Sequence, residues 1–369
     1  MASQLKDQFG ESVPRAIAQM IGAVHAEFPR ADFLRDVAQG YGPMSLTARG
    51  MHIAAALRKH LPADYPRAIA ILLDSASQPH EHRAASGMSS FLYMPHTYFV
   101  ARHGLDHFAE SMRAQHALTQ RFTAEFSIRP FLEKHPERTL ATLREWARDP
   151  SHHVRRLVSE GTRPRLPWAS RLRAFQQDPR PVLELLELLR DDPELYVRRS
   201  VANNLNDIGK DHPALLTEVA KRWLRDATPE REWVIRHALR SAVKRADAGA
   251  LGALGFGGEA KVSVRAVKIT PARPKVGGSV RISFDLVSTA ARGQRVMADL
   301  VVHFVKSRGT GAKTFKLKAV DLPARGRVTL SKKIGLEQLT TRKHYPGIHR
   351  VEALLNGRRR KLGEFLLRR

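Results

Sequence analysis

Trp146-Ala-Arg-Asp-Pro150, followed by Val154-Arg-Arg-Leu-Val-Ser-Glu160, is the stretch on which the fold reading turns, because its pattern returns. Leu189-Arg-Asp-Asp-Pro193 leads into Val197-Arg-Arg-Ser-Val-Ala-Asn203. Trp223-Leu-Arg-Asp226 leads, after a slightly longer gap, into Val234-Ile-Arg-His-Ala-Leu-Arg240. A fainter copy pairs Leu72-Leu-Asp-Ser75 with His82-Arg-Ala-Ala85. Proline lacks the N–H a helix interior needs and constrains its predecessor, so each Asp-Pro punctuates one helix from the next. Around it the apolar spacing is helical: Leu140, Leu143, Trp146 and Ala147 fall three and four residues apart, and Leu185, Leu186, Leu188 and Leu189 form a denser stripe.

The repeated valines lie 43 and then 37 residues apart, near the roughly 40–47 residues of a two-helix HEAT-like unit. Such pairs cannot bury their apolar faces alone, so they stack into a curved solenoid. Arg156, Arg199 and Arg236 hold equivalent places in the repeated second helix. They form either a row of guanidinium forks suited to phosphate or a series of ion pairs between repeats. Residues before about 120 are also helical, broken at Pro29, Gly40, Pro62 and Pro79, and their aromatics Phe91, Tyr93, His96, Tyr98 and Phe99 read mainly as core.

Beyond this region the period changes. Ala248–Gly258 holds five glycines among small residues, and 251–258 reads as a linker. Alternation then begins at Val262 and Val264, is cleanest at Val280, Ile282, Phe284 and Leu286, and starts again at Phe315 and Leu317, with further strand candidates at Ala298–Val305, Arg327–Ile334, Ile348–Leu355 and Lys361–Leu367. Seven short strands predict an immunoglobulin-like sandwich. The expected organisation is therefore multidomain: an all-α HEAT-like repeat solenoid over 1–250, the linker, and an all-β immunoglobulin-like sandwich over 259–369.

Charge divides the chain at the same place. The 369 residues carry a net charge of +26, yet Gly258–Arg369 alone has 26 Lys or Arg against 7 Asp or Glu. Such an excess over one small sandwich is costly in self-repulsion unless an anionic partner relieves it, and nucleic acid is the usual one. Candidate phosphate contacts are Arg199 and Arg236 on the helices and Arg265, Arg281, Lys316, Lys318, Lys332, Lys333, Arg358, Arg359 and Arg360 on the sandwich, with Arg342 in a loop.

Other chemistry is poorly represented. There is no cysteine, which removes disulfides and thiolate chemistry. No run approaches the length of a membrane span and no secretory core opens the chain. Neither a GxxxxGK[ST] loop nor a GxGxxG turn is present, so no nucleotide cofactor is expected. His80-Glu-His82, His152-His153 and Asp211-His212 lack a complete ligand set, and no metal is expected. What remains is a group of acids among basic and aromatic residues. Glu125 lies in Phe122-Thr-Ala-Glu-Phe-Ser-Ile-Arg-Pro130, read as helical, Glu160 closes the first repeated helix, and Asp207 sits in the unusually polar Asn203–Pro213. Trp168 follows the stiff Arg163-Pro-Arg-Leu-Pro167. Each has a structural alternative: an arginine salt bridge for Glu125, a helix cap or inter-repeat bond for Asp207, a core plug for Trp168.

Three of these segments, Glu125–Phe131, Val154–Trp168 and Tyr196–Pro213, closely resemble the AlkC branch of the DNA alkylation-repair glycosylases. The likeness runs from the N-terminus to about Asp247, and the C-terminal part resembles the immunoglobulin-like domain of one subgroup. The resemblance implies a base excision repair enzyme that holds duplex DNA and releases cationic alkylated bases such as 3-methyladenine and 3-methylcytosine. By motif correspondence it makes Glu125 and Asp207 the catalytic carboxylates, with Asp207 favoured for the water, and it puts Arg156, Glu160 and Trp168 in the lesion pocket. A base that already carries charge leaves without a general acid, so the expected enzyme is monofunctional, without lyase activity or cofactor, acting in the bacterial cytoplasm or nucleoid. A non-enzymatic nucleic-acid clamp would explain the charge without the carboxylates; a protein-binding scaffold would leave the basic sandwich idle.

Overall fold

The recurring Asp-Pro turn is closed by the first arginine that follows it. In a computed structural model describing residues 9–77, 89–339 and 343–369, Arg155 Nη1 donates to the carbonyls of Asp149 (2.8 Å) and Pro150 (3.0 Å). Arg198 Nη1 does the same to Asp192 and Pro193, both at 2.7 Å. Each aspartate also accepts from a backbone N–H two residues on, Ser151 for Asp149 and Glu194 for Asp192. The repeated letters thus encode a repeated turn, with its otherwise unsatisfied carbonyls supplied with donors. Arg155 further pairs with Asp192 (2.6 Å) and so links one turn to the next.

Sixteen α-helices are formed among the described residues. In the first compact unit, Met1–Asp211, they are α1 Ser12–Val24, α2 Arg30–Ala38, α3 Leu46–His60, α4 Tyr65–Ser77, α5 Met94–His103, α6 Phe108–Thr119, α7 Arg129–Lys134, α8 Pro136–Trp146, α9 His152–Gly161, α10 Arg173–Gln177, α11 Arg180–Leu189 and α12 Leu195–Asp211. Helix α9 packs against α8, α11 and α12. Val154, Leu157 and Val158 on α9 and Val197, Val201 and Leu205 on α12 are fully buried, each contributing about 1.5–3 kcal/mol of apolar burial. The seam between these two helices is also polar. Ser159 Oγ donates to Ser200 Oγ (2.6 Å), and Asn204 Nδ2 donates to Ser159 O (2.7 Å) and Thr162 Oγ1 (3.1 Å). Those bonds account for Asn204 in the polar run that opens at Asn203. The aromatics divide: Tyr93, His96 and Phe99 are buried, whereas Phe91 and Tyr98 stay partly open. Pro79, His80 and the fainter repeat at His82–Ala85 lie outside the described residues.

The second compact unit, His212–Arg369, contains α13 Pro213–Trp223, α14 Pro229–Ala238, α15 Arg240–Lys244, α16 Ala248–Ala253 and the seven expected strands. Helices α13–α16 therefore group with the sandwich. The glycine-rich stretch is structured at its start, because Asp247 caps α16 by accepting from Ala250 N (2.8 Å) and Leu251 and Phe256 are buried. The strands are β1 Val262–Thr270, β2 Ser279–Ser288, β3 Gln294–Val305, β4 Thr310–Leu322, β5 Arg327–Gly335, β6 Gly347–Leu355 and β7 Arg358–Leu367. They form two antiparallel sheets, ordered β1-β2-β5 and β4-β3-β6-β7. Ile282, Phe284 and Leu286 meet Val296, Leu300 and Val302 in the core between them. No disulfide is needed, since alternate residues of both sheets fill the interior.

Gly161, the last residue of α9, lets that helix approach the segment before α7: a Cβ there would stand 2.5 Å from Ile128 Cγ2. Gly161→Ala is expected to destabilise the protein by about 1–3 kcal/mol through overpacking, read as a lower urea midpoint at unchanged slope.

Candidate active site

Glu125 does not lie in a helix. It sits in a turn between α6 and α7, because Thr123 Oγ1 accepts the Glu125 N–H (3.4 Å) and Pro130 begins the next helix instead of continuing the last. The turn leaves its carboxylate only 8% exposed, so the charge needs partners. Arg156 Nη1 donates to Glu125 Oε2 (2.5 Å), and the Thr123 hydroxyl donates to the same oxygen (2.8 Å).

From Arg156 the charges alternate inward. Arg156 Nη2 stands 3.6 Å from Glu160 Oε1, which also accepts from Arg163 Nη1 (2.6 Å). Glu160 Oε2 accepts from Ser200 Oγ (2.6 Å). Arg163 Nε donates to Asp207 Oδ2 (2.8 Å), and Lys210 Nζ donates to Asp207 Oδ1 (2.7 Å). Three acids and three bases thus form one chain from Glu125 to Lys210. Burial works against the charge on Arg156, but Glu125 and Glu160 outweigh it and raise its pKa. Arg163 is raised in the same way, burial opposing and Glu160 and Asp207 prevailing.

The chain forms part of the wall of a cavity of about 580 Å³. Glu125, Arg156, Glu160 and Arg163 line it together with Tyr98, Phe91, Phe122, His153, Tyr196 and Trp168. Asp207 is absent from the lining and is 1% exposed. Of the two acids that the resemblance makes catalytic, only Glu125 thus lines this cavity. They are joined through Arg156, Glu160 and Arg163, and both Asp207 oxygens are occupied by cations. Glu125 Oε1, by contrast, has no hydrogen-bond partner among the described residues.

Trp168 is no core plug. It is 82% exposed at φ 66°, a left-handed backbone conformation that a bulky residue adopts only when its surroundings enforce it. Buried Arg129 supplies much of that enforcement: its guanidinium donates to the carbonyls of Gly161 (3.1 Å), Arg163 (2.9 Å) and Ser170 (2.5 Å). Burial lowers the Arg129 pKa to about 10, so it remains charged at neutral pH. Tyr196, 43% exposed, lies beneath Arg156 with the guanidinium carbon 5.1 Å from its ring centre.

The cavity thus combines a free carboxylate oxygen, aromatic walls and a neutralised arginine. The model of the DNA alkylation repair enzyme family matches residues 53–245, and that of the C-terminal Ig-like domain of the uncharacterised protein YhaZ matches residues 263–369. The chain belongs to the DNA alkylation repair enzyme family. YhaZ of Bacillus subtilis (strain 168) is 36% identical over 357 residues, 96% of this chain and 97% of its own. The alkylpurine DNA glycosylase AlkC of Pseudomonas fluorescens, solved with DNA containing an abasic site analog, is 39% identical. It covers 100% of both chains at a TM-score of 0.90.

Within this family member the basic candidates fall into separate places. Arg156 is an ion-pair member, Arg236 pairs with Glu232 on its own helix (2.8 Å), and Arg199 is exposed on α12. Lys316, Lys318 and Lys332 share one cleft of about 250 Å³ where β4 faces β5. Lys333 points to the other side of β5, in register with Arg281, and Arg265 lies on the same outer sheet face. Arg358, Arg359 and Arg360 open β7; Arg359 pairs with Glu352 (3.2 Å) and Arg360 with Glu259. Arg342 lies outside the described residues. Thr123, Arg129, Arg163, Tyr196 and Lys210 carry no role in the sequence reading, although Thr123 and Arg129 lie within four residues of Glu125, Arg163 three from Glu160 and Lys210 three from Asp207. Among the described residues no helix is long and apolar enough to cross a membrane.

Arg129→Met should strand three carbonyls and loosen the Trp168 loop. The expected cost is about 3–5 kcal/mol, with faster amide hydrogen exchange across residues 161–172.

Proposed function

We propose that the protein is a monofunctional DNA glycosylase that hydrolyses the N-glycosidic bond of cationic alkylated bases, 3-methyladenine and 3-methylcytosine among them, in duplex DNA. The observation that carries this reading is Glu125: of the three acids in the buried chain, it alone combines a place in the cavity wall with an uncommitted oxygen. The AlkC relative, bound to DNA with an abasic site analog, supports the same class of substrate and product.

The chemistry follows from where charge moves. Alkylation at a ring nitrogen leaves the base positive, so breaking the bond from C1′ returns the electron pair to the base and releases it neutral. Positive charge then builds on the deoxyribose. A carboxylate oxygen held in place stabilises that charge more than the dispersed charge of the ground state. Water adds to C1′, and its proton passes to Glu125 and then to solvent. Asp207 acts through the chain: with Lys210 it fixes Arg163, which fixes Glu160 and so Arg156. Trp168 and Tyr196 offer aromatic faces to a cationic base, worth about 0.5–2 kcal/mol. A neutral base is a far poorer leaving group, so selectivity needs no tight pocket. Among the described residues no lysine lines the cavity, and the reaction proceeds without a Schiff base.

The sandwich supplies the grip on the phosphate backbone through Lys316, Lys318 and Lys332, with Arg265, Arg281, Lys333 and the Arg358–Arg360 run as further contacts and Arg199 and Arg236 on the helices.

Mass spectrometry of bases freed from methylated duplex DNA tests the enzyme directly. Glu125→Gln should lower single-turnover release by about 10²–10³-fold and also lower stability, since Arg156 then keeps only Glu160 as a charged partner, so release is compared at a temperature where both proteins are folded. Asp207→Asn should lower both release and stability, because two cations then face a neutral amide. Release by Glu125→Gln at the wild-type rate, or a protein–DNA adduct trapped by borohydride, would overturn the mechanism. For the grip, replacing Lys316 and Lys318 with Glu should flatten the dependence of log affinity on log salt by about 0.9 per lost phosphate contact. An unchanged slope assigns those lysines elsewhere.

A further inference from the structure

The hydroxyl of Thr123 is used completely. It lies 2.8 Å from Arg156 Nη1, 3.4 Å from the Glu125 backbone nitrogen and 2.8 Å from Glu125 Oε2. A threonine hydroxyl has one proton and two acceptor lone pairs. The guanidinium and the backbone N–H can only donate, so they take the lone pairs. The single proton is then left for Glu125 Oε2, and counting alone fixes the polarity of the cluster.

This arrangement bears on how Arg156 meets Glu125. Arginine favours a fork on a carboxylate, two parallel N–H bonds to two oxygens. Here the contact is to one oxygen only. Nη1 is shared between Thr123 Oγ1 and Glu125 Oε2, Nη2 is nearest Glu160 Oε1, and the guanidinium lies over Tyr196. A closed fork would occupy Oε1, the oxygen that the proposed chemistry requires.

We propose that Thr123 is a positioning residue for base release: its hydroxyl holds Oε2 and one guanidinium N–H together, keeps Arg156 off the second carboxylate oxygen, and leaves Oε1 available to the sugar or the attacking water. This rests on the role of Glu125 given above. A valine in this half-buried position has nearly the same shape as Thr123 and lacks the hydroxyl, so Arg156 Nη1 turns wholly to the carboxylate and the fork closes. Serine keeps the hydroxyl and should keep the function.

The test uses the full chain and a duplex carrying one N-alkylated purine, with single-turnover base release as one reading and affinity for duplex with an abasic analog as the other. Thr123→Val should slow release about tenfold or more, the equivalent of one charge-assisted hydrogen bond, with affinity unchanged within about twofold. Thr123→Ser should stay within about threefold of wild type. In a Glu125→Gln background, Thr123→Val should add less than about twofold, since the two act as a unit. Should Thr123→Val compromise folding, Thr123→Ala removes the same hydroxyl and replaces it in the comparison. Wild-type release by Thr123→Val beside a slow Glu125→Gln would overturn the positioning role alone. So would a serine variant as slow as the valine variant, or losses that multiply in the double variant. Wild-type release by Glu125→Gln would instead overturn the reading of the site, and this inference with it.

Discussion

The alternation of charge from Glu125 to Lys210 is the constraint on which the first unit depends. A lone buried carboxylate is costly, and removing one partner from a buried pair strands the other. Here Glu125, Glu160 and Asp207 are separated by Arg156 and Arg163 and closed by Lys210. The members come from the α6–α7 turn, from α9, from the loop after it and from α12. Holding the charges together therefore also holds those four segments, and it does so at the junction where the serine and asparagine seam already joins α9 to α12.

The same chain explains how a strongly basic protein presents a suitable surface to a cationic base. With net charge +26 overall, an unpaired Arg156 in the cavity would repel the substrate class proposed. Glu125 and Glu160 neutralise it where it stands, and the aromatic faces of Tyr196 and Trp168 add attraction. The excess positive charge lies elsewhere, on the outer sheet face, in the β4–β5 cleft and at the start of β7. In the proposed function, binding backbone and handling a damaged base thus fall to different electrostatic surroundings.

Much of this is legible in the residues. Alternation marks β2 most clearly, because a strand half-buried against the core writes a period of two into the chain, while β3, buried without a break from Ala298 to Val302, is legible as an apolar run. The recurring Asp-Pro with Val-Arg-Arg marks the helix pairs, yet it hides which arginine does what: Arg155 and Arg198 close turns, Arg156 joins the buried ion-pair chain and Arg199 is exposed. Apolar neighbours make Glu125 look helical, whereas one hydroxyl–amide contact from Thr123 and the proline at 130 make a turn, and such short-range competition leaves little periodic trace. Asp207 is equally hard to place, since two cations, Arg163 from 44 residues away and Lys210 from its own helix, decide where its carboxylate points. The exposure of Trp168 is hidden for another reason: hydrophobicity carries no information about a backbone held at positive φ.

The order of strands in the sandwich has a further effect. β4 and β7 border one sheet and β1 and β5 border the other; the 272–276 segment is bonded along the end of β7, and border backbone left unbonded could anneal with a strand from a neighbouring copy. Those borders are where Lys316, Lys318, Lys332 and Arg358–Lys361 stand, and a dense row of like charge is an effective barrier to intermolecular sheet growth. Residues suited to gripping an anion therefore also keep the sandwiches of separate copies apart, and evolution toward a less basic domain would have to protect its borders by other means.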